Sequence, residues 1–232
     1  MFAFVFLGST QKTYSCSTIW NPAPTASPAP GETPQLGYLQ NDMGRQHDAT
    51  SSQRYTLCPP ASGSHYNLAG KGPIQPRVYG PDDFTEPQGW IHNLEHGALV
   101  ILYRCEGDAC SDAGQQRLKD VFSSIPNSPI CNTPPGGAYG PGPVITRFDE
   151  MAWPYAAIVW DRVLPLQTLD KNLVLDFYRQ WGDRTDPEPV PGCRTPGASP
   201  GASGSAAPPA SVAPSGSAGP SPASTEASAS PS

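Results

Sequence analysis

Apolar positions along the chain fall into two kinds of run, and each predicts a different element. Ala98 to Tyr103 (ALVILY) is unbroken, led by Gly97 and closed by Arg104, the length of a buried strand. Pro143 to Phe148 and Ala156 to Val163 predict two more strands, and the Asp149 to Pro154 connection is short enough to make them an antiparallel pair. Elsewhere the period lengthens. Leu118, Val121, Phe122 and Ile125 share one face of a helix that Ser111 or Asp112 would cap and that runs to about Ser124. Leu173, Val174, Phe177, Tyr178 and Trp181 stripe a second helix, starting near Thr168 or Asp170 and stopped by Gly182. An aromatic stripe at this spacing reads as core rather than as a cofactor box. Tyr38 to Gly89, crowded with Pro, Gly, Ser and Asn, reads as irregular loops wrapped on the rest. The predicted class is α+β: a small mixed sheet with two helices on one face, in the order β-α-β-β-α, preceded by a long irregular segment.

Composition sets the limits of the folded part. Of the 39 residues from Arg194 onward, all but five are Ala, Ser, Pro or Gly, too few apolar side chains to offset the entropy of ordering a backbone. Asn21 to Pro34 carries Pro at 22, 24, 28, 30 and 34, which favours an extended spacer. Met1 to Leu7 (MFAFVFL) is apolar but far short of the roughly 20 residues that span a bilayer; it is expected to be the outer end of a signal anchor. The expected organisation is therefore an anchor remnant over 1–15, a Pro-rich stalk over 16–35, one folded domain over 36–193 and a disordered tail over 194–232. A domain of about 160 residues is long enough for one hydrophobic core.

The six cysteines, at 16, 58, 105, 110, 131 and 193, include no Cys-x-x-Cys pair, so zinc-ribbon and thioredoxin-like readings lose their usual signature. Disulfides fit better, and with the stalk they point to an extracytoplasmic, membrane-tethered protein. Cys105 with Cys110 would close a short loop, and Cys16 with Cys193 would tie the ends of the domain together. Charge removes other partners. The net charge of −6 comes without any Lys/Arg run, which argues against nucleic acid and against an anionic membrane surface for the folded domain, beyond an N-terminal anchor. Gly197-Ala198-Ser199-Pro200-Gly201 satisfies G-x-S-x-G, but a nucleophile elbow needs a strand before it and a helix after it, and this tail offers neither.

The candidate chemistry lies in the histidines. His47, His65, His92 and His96 all fall within 50 consecutive residues. Neutral imidazole is the commonest protein metal ligand, and rings from separate loops can converge on one ion. Nitrogen-rich ligation suits zinc or copper over calcium or magnesium, with Met43 as a further soft ligand in the case of copper. Glu95 would orient His92 or His96 from outside the metal shell. His92-Asn93-Leu94-Glu95-His96 also matches H-x-x-E-H, in which a helix sets two His on one face and the Glu beside a metal-bound water as general base, giving a metal-dependent hydrolase. Gly89 weakens a helix here and a strand follows at once, so a single turn is expected. A third reading has the four rings bonding loop carbonyls in a metal-free cell-envelope interaction or structural domain.

Cys58-Pro59-Pro60-Ala61-Ser62-Gly63-Ser64-His65-Tyr66, followed by Trp90-Ile91-His92-Asn93-Leu94-Glu95-His96-Gly97 and a strand, resembles the bacterial domain-of-unknown-function family 3105 from about Gly37 to Glu188. The resemblance singles out His47, His65, His92, Glu95, His96 and Gly97, implies a secreted or membrane-tethered protein, and carries no activity with it.

Overall fold

A computed structural model describes residues 13–23, 31, 33–48, 52–135, 142–189 and 193. The anchor remnant at Met1 to Leu7, the tail from Arg194 and most of the Pro-rich spacer lie outside the described residues. The chain is α+β, as its pattern predicts. The apolar run supplies β4 (Val100–Tyr103), an interior strand of a mixed sheet that also holds β2 (Tyr38–Leu39), β5 (Val144–Arg147), β6 (Tyr155–Val159) and β7 (Arg162–Leu166), in the order β2-β7-β6-β4-β5. Alternation along β4 sends Leu99, Ile101 and Tyr103 into one apolar cluster and Val100 and Leu102 into another, so the strand is buried on both faces.

Two expectations about the sheet are corrected. Residues 156–163 are not one strand: the chain reverses at Trp160-Asp161, with Asp161 at φ 58°, and β6 pairs antiparallel with β7 through Val159 opposite Arg162. A short Asp side chain tolerates this left-handed conformation, which is why a two-residue turn forms without the usual Asn-Gly signal. Nor do β5 and β6 pair with each other. Both flank β4, β5 parallel and β6 antiparallel. A parallel partner needs a long crossover, and α2 (Asp112–Phe122) provides it between β4 and β5. The 149–154 connection then passes the end of β4, where Pro154 O accepts from Arg104 N at 2.9 Å and Met151 O accepts from Arg104 Nη1 at 3.0 Å.

Helices α2 and α3 (Lys171–Trp181) cover one face through Leu118, Val121, Val174 and Phe177, and both start as the sequence predicts: Ser111 Oγ accepts from Gly114 N, and Asp170 from Asn172 N and Leu173 N. On the other face lies a third helix, α1 (Pro87–Glu95), where a single turn was expected. Pro87 at its first turn suits it. Gly89 is retained for packing: a Cβ there would sit 2.7 Å from Ile74 Cγ2 and from Lys71 O. Gly97 at φ +87° ends the helix in a Schellman arrangement, with Gly97 N donating to Leu94 O and Ala98 N to Asn93 O, and passes the chain straight into β4.

The N-terminal segment is also more structured than its composition suggests. β1 (Tyr14–Ile19) pairs in parallel with β3 (Gln53–Cys58), so residues assigned to the anchor remnant and stalk contribute to the fold, and the 38–89 segment holds strands as well as loops. Cys16 bonds Cys58 across this ribbon, rather than Cys193. Cys193 pairs with Cys131, and Cys105 with Cys110 as expected. All six cysteines are thus oxidised, which suits an environment outside the reducing cytoplasm. No helix among the described residues is long and apolar enough to cross a membrane.

Candidate metal centre

Three segments build the site. The last turn of α1 sets His92 and Glu95 inside the protein and His96 at the helix cap, partly exposed. The loop after β3 brings His65, which is fully buried. Gln40, 1% exposed, clamps that loop, with its Nε2 donating to Pro59 O at 3.0 Å and its Oε1 accepting from Ala61 N at 2.8 Å. His47 arrives on a short parallel bridge to His65, in which His65 N donates to Gln46 O and Asp48 N to His65 O, each at 2.9 Å. Its side chain remains 38% exposed.

All four predicted histidines meet, with ring centroids 4.8 Å apart for His47 and His65, 5.1 Å for His65 and His92, and 4.9 Å for His92 and His96. Glu95, predicted to stand behind His92 or His96, lies at the centre: its Oε2 is 3.0 Å from His47 Nε2 and 2.9 Å from His65 Nε2. The side chains sort into two triads that share Glu95: His47, His65 and Glu95, and His92, Glu95 and His96. Within each triad the ligand atoms lie within 4.8 Å of one another.

Backbone carbonyls decide which ring nitrogens face inward. His65 Nδ1 donates to Gly63 O at 2.8 Å, His96 Nδ1 to Glu188 O at 2.8 Å, and His92 Nδ1 to Tyr66 O. An imidazole with one N–H that gives it to a carbonyl turns an Nε2 lone pair inward, so His92 Nε2 and His96 Nε2 meet as two acceptors 3.0 Å apart, whereas His65 Nε2 lies against the Glu95 carboxylate, to which it donates when it carries a proton. Acceptor against acceptor at this distance needs a proton or a metal cation between them. Carbonyl-bound Nδ1–H with Nε2 free is the arrangement that orients metal-binding histidines.

Electrostatics separates the two kinds of group. Burial pushes the Glu95 carboxyl up, but hydrogen bonds from His65 and His47 outweigh it and hold the group at about 2. Burial pulls His92 down to about 4, aided by neighbouring His96 and His65 and opposed by the Tyr66 carbonyl. At neutral pH the site therefore offers an ionised carboxylate and a neutral His92, the protonation states a cation requires.

Met43, the suggested soft ligand, packs against the apolar cluster under α1, and its N–H is held by Ser62 Oγ at 2.9 Å. Gly97 serves by ending the helix. The groups that sequence reasoning missed are Gln40, Asn67, whose Nδ2 is 3.4 Å from His47 Nδ1, and the carbonyls of Gly63, Tyr66 and Glu188. A carbonyl is present at every residue and has no sequence signature.

No curated protein and no solved structure matches this chain. A family model does match, over residues 46–195, a span that includes all four histidines, Glu95 and the α1–β4 junction. The chain belongs to the family described as protein of unknown function DUF3105.

Proposed function

We propose that this domain binds a transition metal, zinc or copper, through His47, His65, His92 and His96 with Glu95, outside the cytoplasm and on a membrane tether. The observation that carries the reading is the orientation of the rings. Three Nδ1–H groups are committed to carbonyls, so three Nε2 atoms point into a space that already holds a carboxylate, and two of them, on His92 and His96, oppose each other at 3.0 Å. Ordinary structural packing would favour complementary donors and acceptors there, because an unmatched buried pair costs about 1–3 kcal/mol. Imidazole and carboxylate without thiolate suit zinc and copper. The three disulfides support the extracytoplasmic placement.

Metal analysis of untagged protein, refolded with zinc or copper and desalted, tests the proposal. Stoichiometric metal is expected; less than about a tenth of an equivalent ends it, as does a melting temperature that chelation leaves unchanged.

A hydrolase reading has one observation in its favour: α1 is a helix, and His92 within it and His96 at its C-cap, four residues apart, bring their Nε2 atoms to 3.0 Å. Glu95 in that reading activates a metal-bound water, yet its Oε2 is already engaged by two imidazoles. Glu95→Gln protein that keeps metal while losing hydrolysis shown by the parent would favour catalysis.

A further inference from the structure

We infer that the centre holds two metal ions bridged by the Glu95 carboxylate, one between His47 and His65 and the other between His92 and His96. This rests on the metal-binding reading and goes beyond it in stoichiometry and in the role of Glu95.

The argument begins with pair distances. Ligands about 2.0–2.1 Å from a tetrahedral zinc lie roughly 3.3 Å from each other. His92 Nε2 to His96 Nε2 is 3.0 Å, His47 Nε2 to Glu95 Oε2 is 3.0 Å, and His65 Nε2 to Glu95 Oε2 is 2.9 Å. Each is close to one edge of a coordination polyhedron, and the edges belong to two polyhedra. His47 and His65 converge on the same carboxylate oxygen, while His92 and His96 converge on each other. The two triads also differ in kind: His47 and His65 both address one carboxylate oxygen, whereas His92 and His96 oppose two nitrogens. A single ion between His47 and His65 leaves the His92–His96 conflict unrelieved, and a single ion between His92 and His96 leaves the first triad of convergent ligand atoms unfilled.

A carboxylate has two oxygens, and Glu95 belongs to both triads, so it can give one oxygen to each ion. This is the bridging geometry that holds metals about 3.5–4 Å apart in two-metal sites. The rings are disposed accordingly: His92 lies against both histidines of the other triad, with centroids 5.4 Å from His47 and 5.1 Å from His65. Two histidines and one carboxylate oxygen fill three positions on each ion. The fourth remains for water or a small ligand, and His47, the exposed member, marks the side from which it enters.

The full chain, saturated with zinc chloride and freed of excess, should carry two zinc ions. His47→Ala, at the most exposed ligand, should carry one. Independently of any variant, the parent loaded with cupric ion should show magnetic coupling between the two coppers, read as a spin count well below the copper content and a half-field signal. One zinc per chain in the parent, or a full complement of isolated copper spins, would overturn the two-ion centre while leaving metal binding intact. Neither zinc nor copper bound would remove both.

Discussion

The two faces of the sheet are built by opposite rules. Under α2 and α3 the buried apolar cluster is made of Leu, Val, Ile, Phe, Tyr and Ala, and each helix has a side-chain cap and a solvated outer surface. On the opposite face every residue of α1 is buried, including Gln88, His92, Asn93 and Glu95, and its N-terminus has no side-chain cap. Burying polar groups is unfavourable unless each finds a partner. Asn93 does so with Ile74, donating to its O at 2.8 Å and accepting from its N at 3.0 Å. The imidazoles do not complete theirs with one another. One face is organised for stability, and the other keeps unmatched acceptors inside a packed interior, as expected of a binding site.

Substitutions on the two faces should therefore separate stability from metal content. The largest effect is expected from Phe177→Ala, fully buried under α3, which should lose about 3–5 kcal/mol in urea unfolding while the protein that remains folded keeps its metal. Glu95→Ala should come close to it, at about 3 kcal/mol, because it removes the partner of two imidazoles from a site 1% exposed, and metal should be lost with it. If Phe177→Ala abolished metal binding in folded protein, or Glu95→Ala kept it, the two faces would not be functionally distinct.

Smaller effects sharpen the contrast. Asp170→Ala removes the cap of α3 and should destabilise by about 1 kcal/mol without changing metal affinity, as calorimetric titration would show. The pH dependence should carry the signature of the α1 face, where Asp161 ties the β6–β7 turn to the histidine loop through its N–H on Ala61 O at 3.0 Å. Burial raises its carboxyl from the ordinary value to about 6, against a lowering hydrogen bond from Ser62. A folded-state value above the unfolded one means that the folded protein takes up the proton first, so this group adds stability as pH falls from about 6 toward 4. His92, whose folded value is lowered to about 4, acts in the opposite direction between its ordinary value and that pH. The parent should gain stability relative to Asp161→Asn on acidification from pH 7 to about 4.5, and parallel denaturation curves for the two proteins would refute this assignment.

Much of the scaffold was readable from periodicity. β4, β5, α2 and α3 occur where the apolar spacing puts them, because each buries a face that is contiguous in the sequence. What misled was turn and termination chemistry. Trp160-Asp161 reverses the chain without glycine, and Gly89 sits inside a helix because Ile74 and Lys71 press against it from another segment. β1 was hidden in a Pro-rich neighbourhood, since its pairing with β3 and the Cys16–Cys58 bond are contacts distant in sequence. Within the site, the identities of the four histidines and Glu95 were legible, but the arrangement was not. Glu95 reads as an auxiliary of its helical neighbours and instead receives His47 and His65 from elsewhere in the chain.

The sequence by itself determined the class of the fold, the position of its principal strand and helices, and the set of residue types able to hold a cation. These follow from side-chain chemistry and local spacing. Only the tertiary structure decided how Cys16, Cys58, Cys131 and Cys193 pair, that β5 and β6 flank β4, one parallel and the other antiparallel, and which nitrogen of His65, His92 and His96 points inward. The reason is physical: a ring's orientation is set by the carbonyl that takes its proton, and those carbonyls belong to Gly63, Tyr66 and Glu188, segments brought together only when the chain closes on itself.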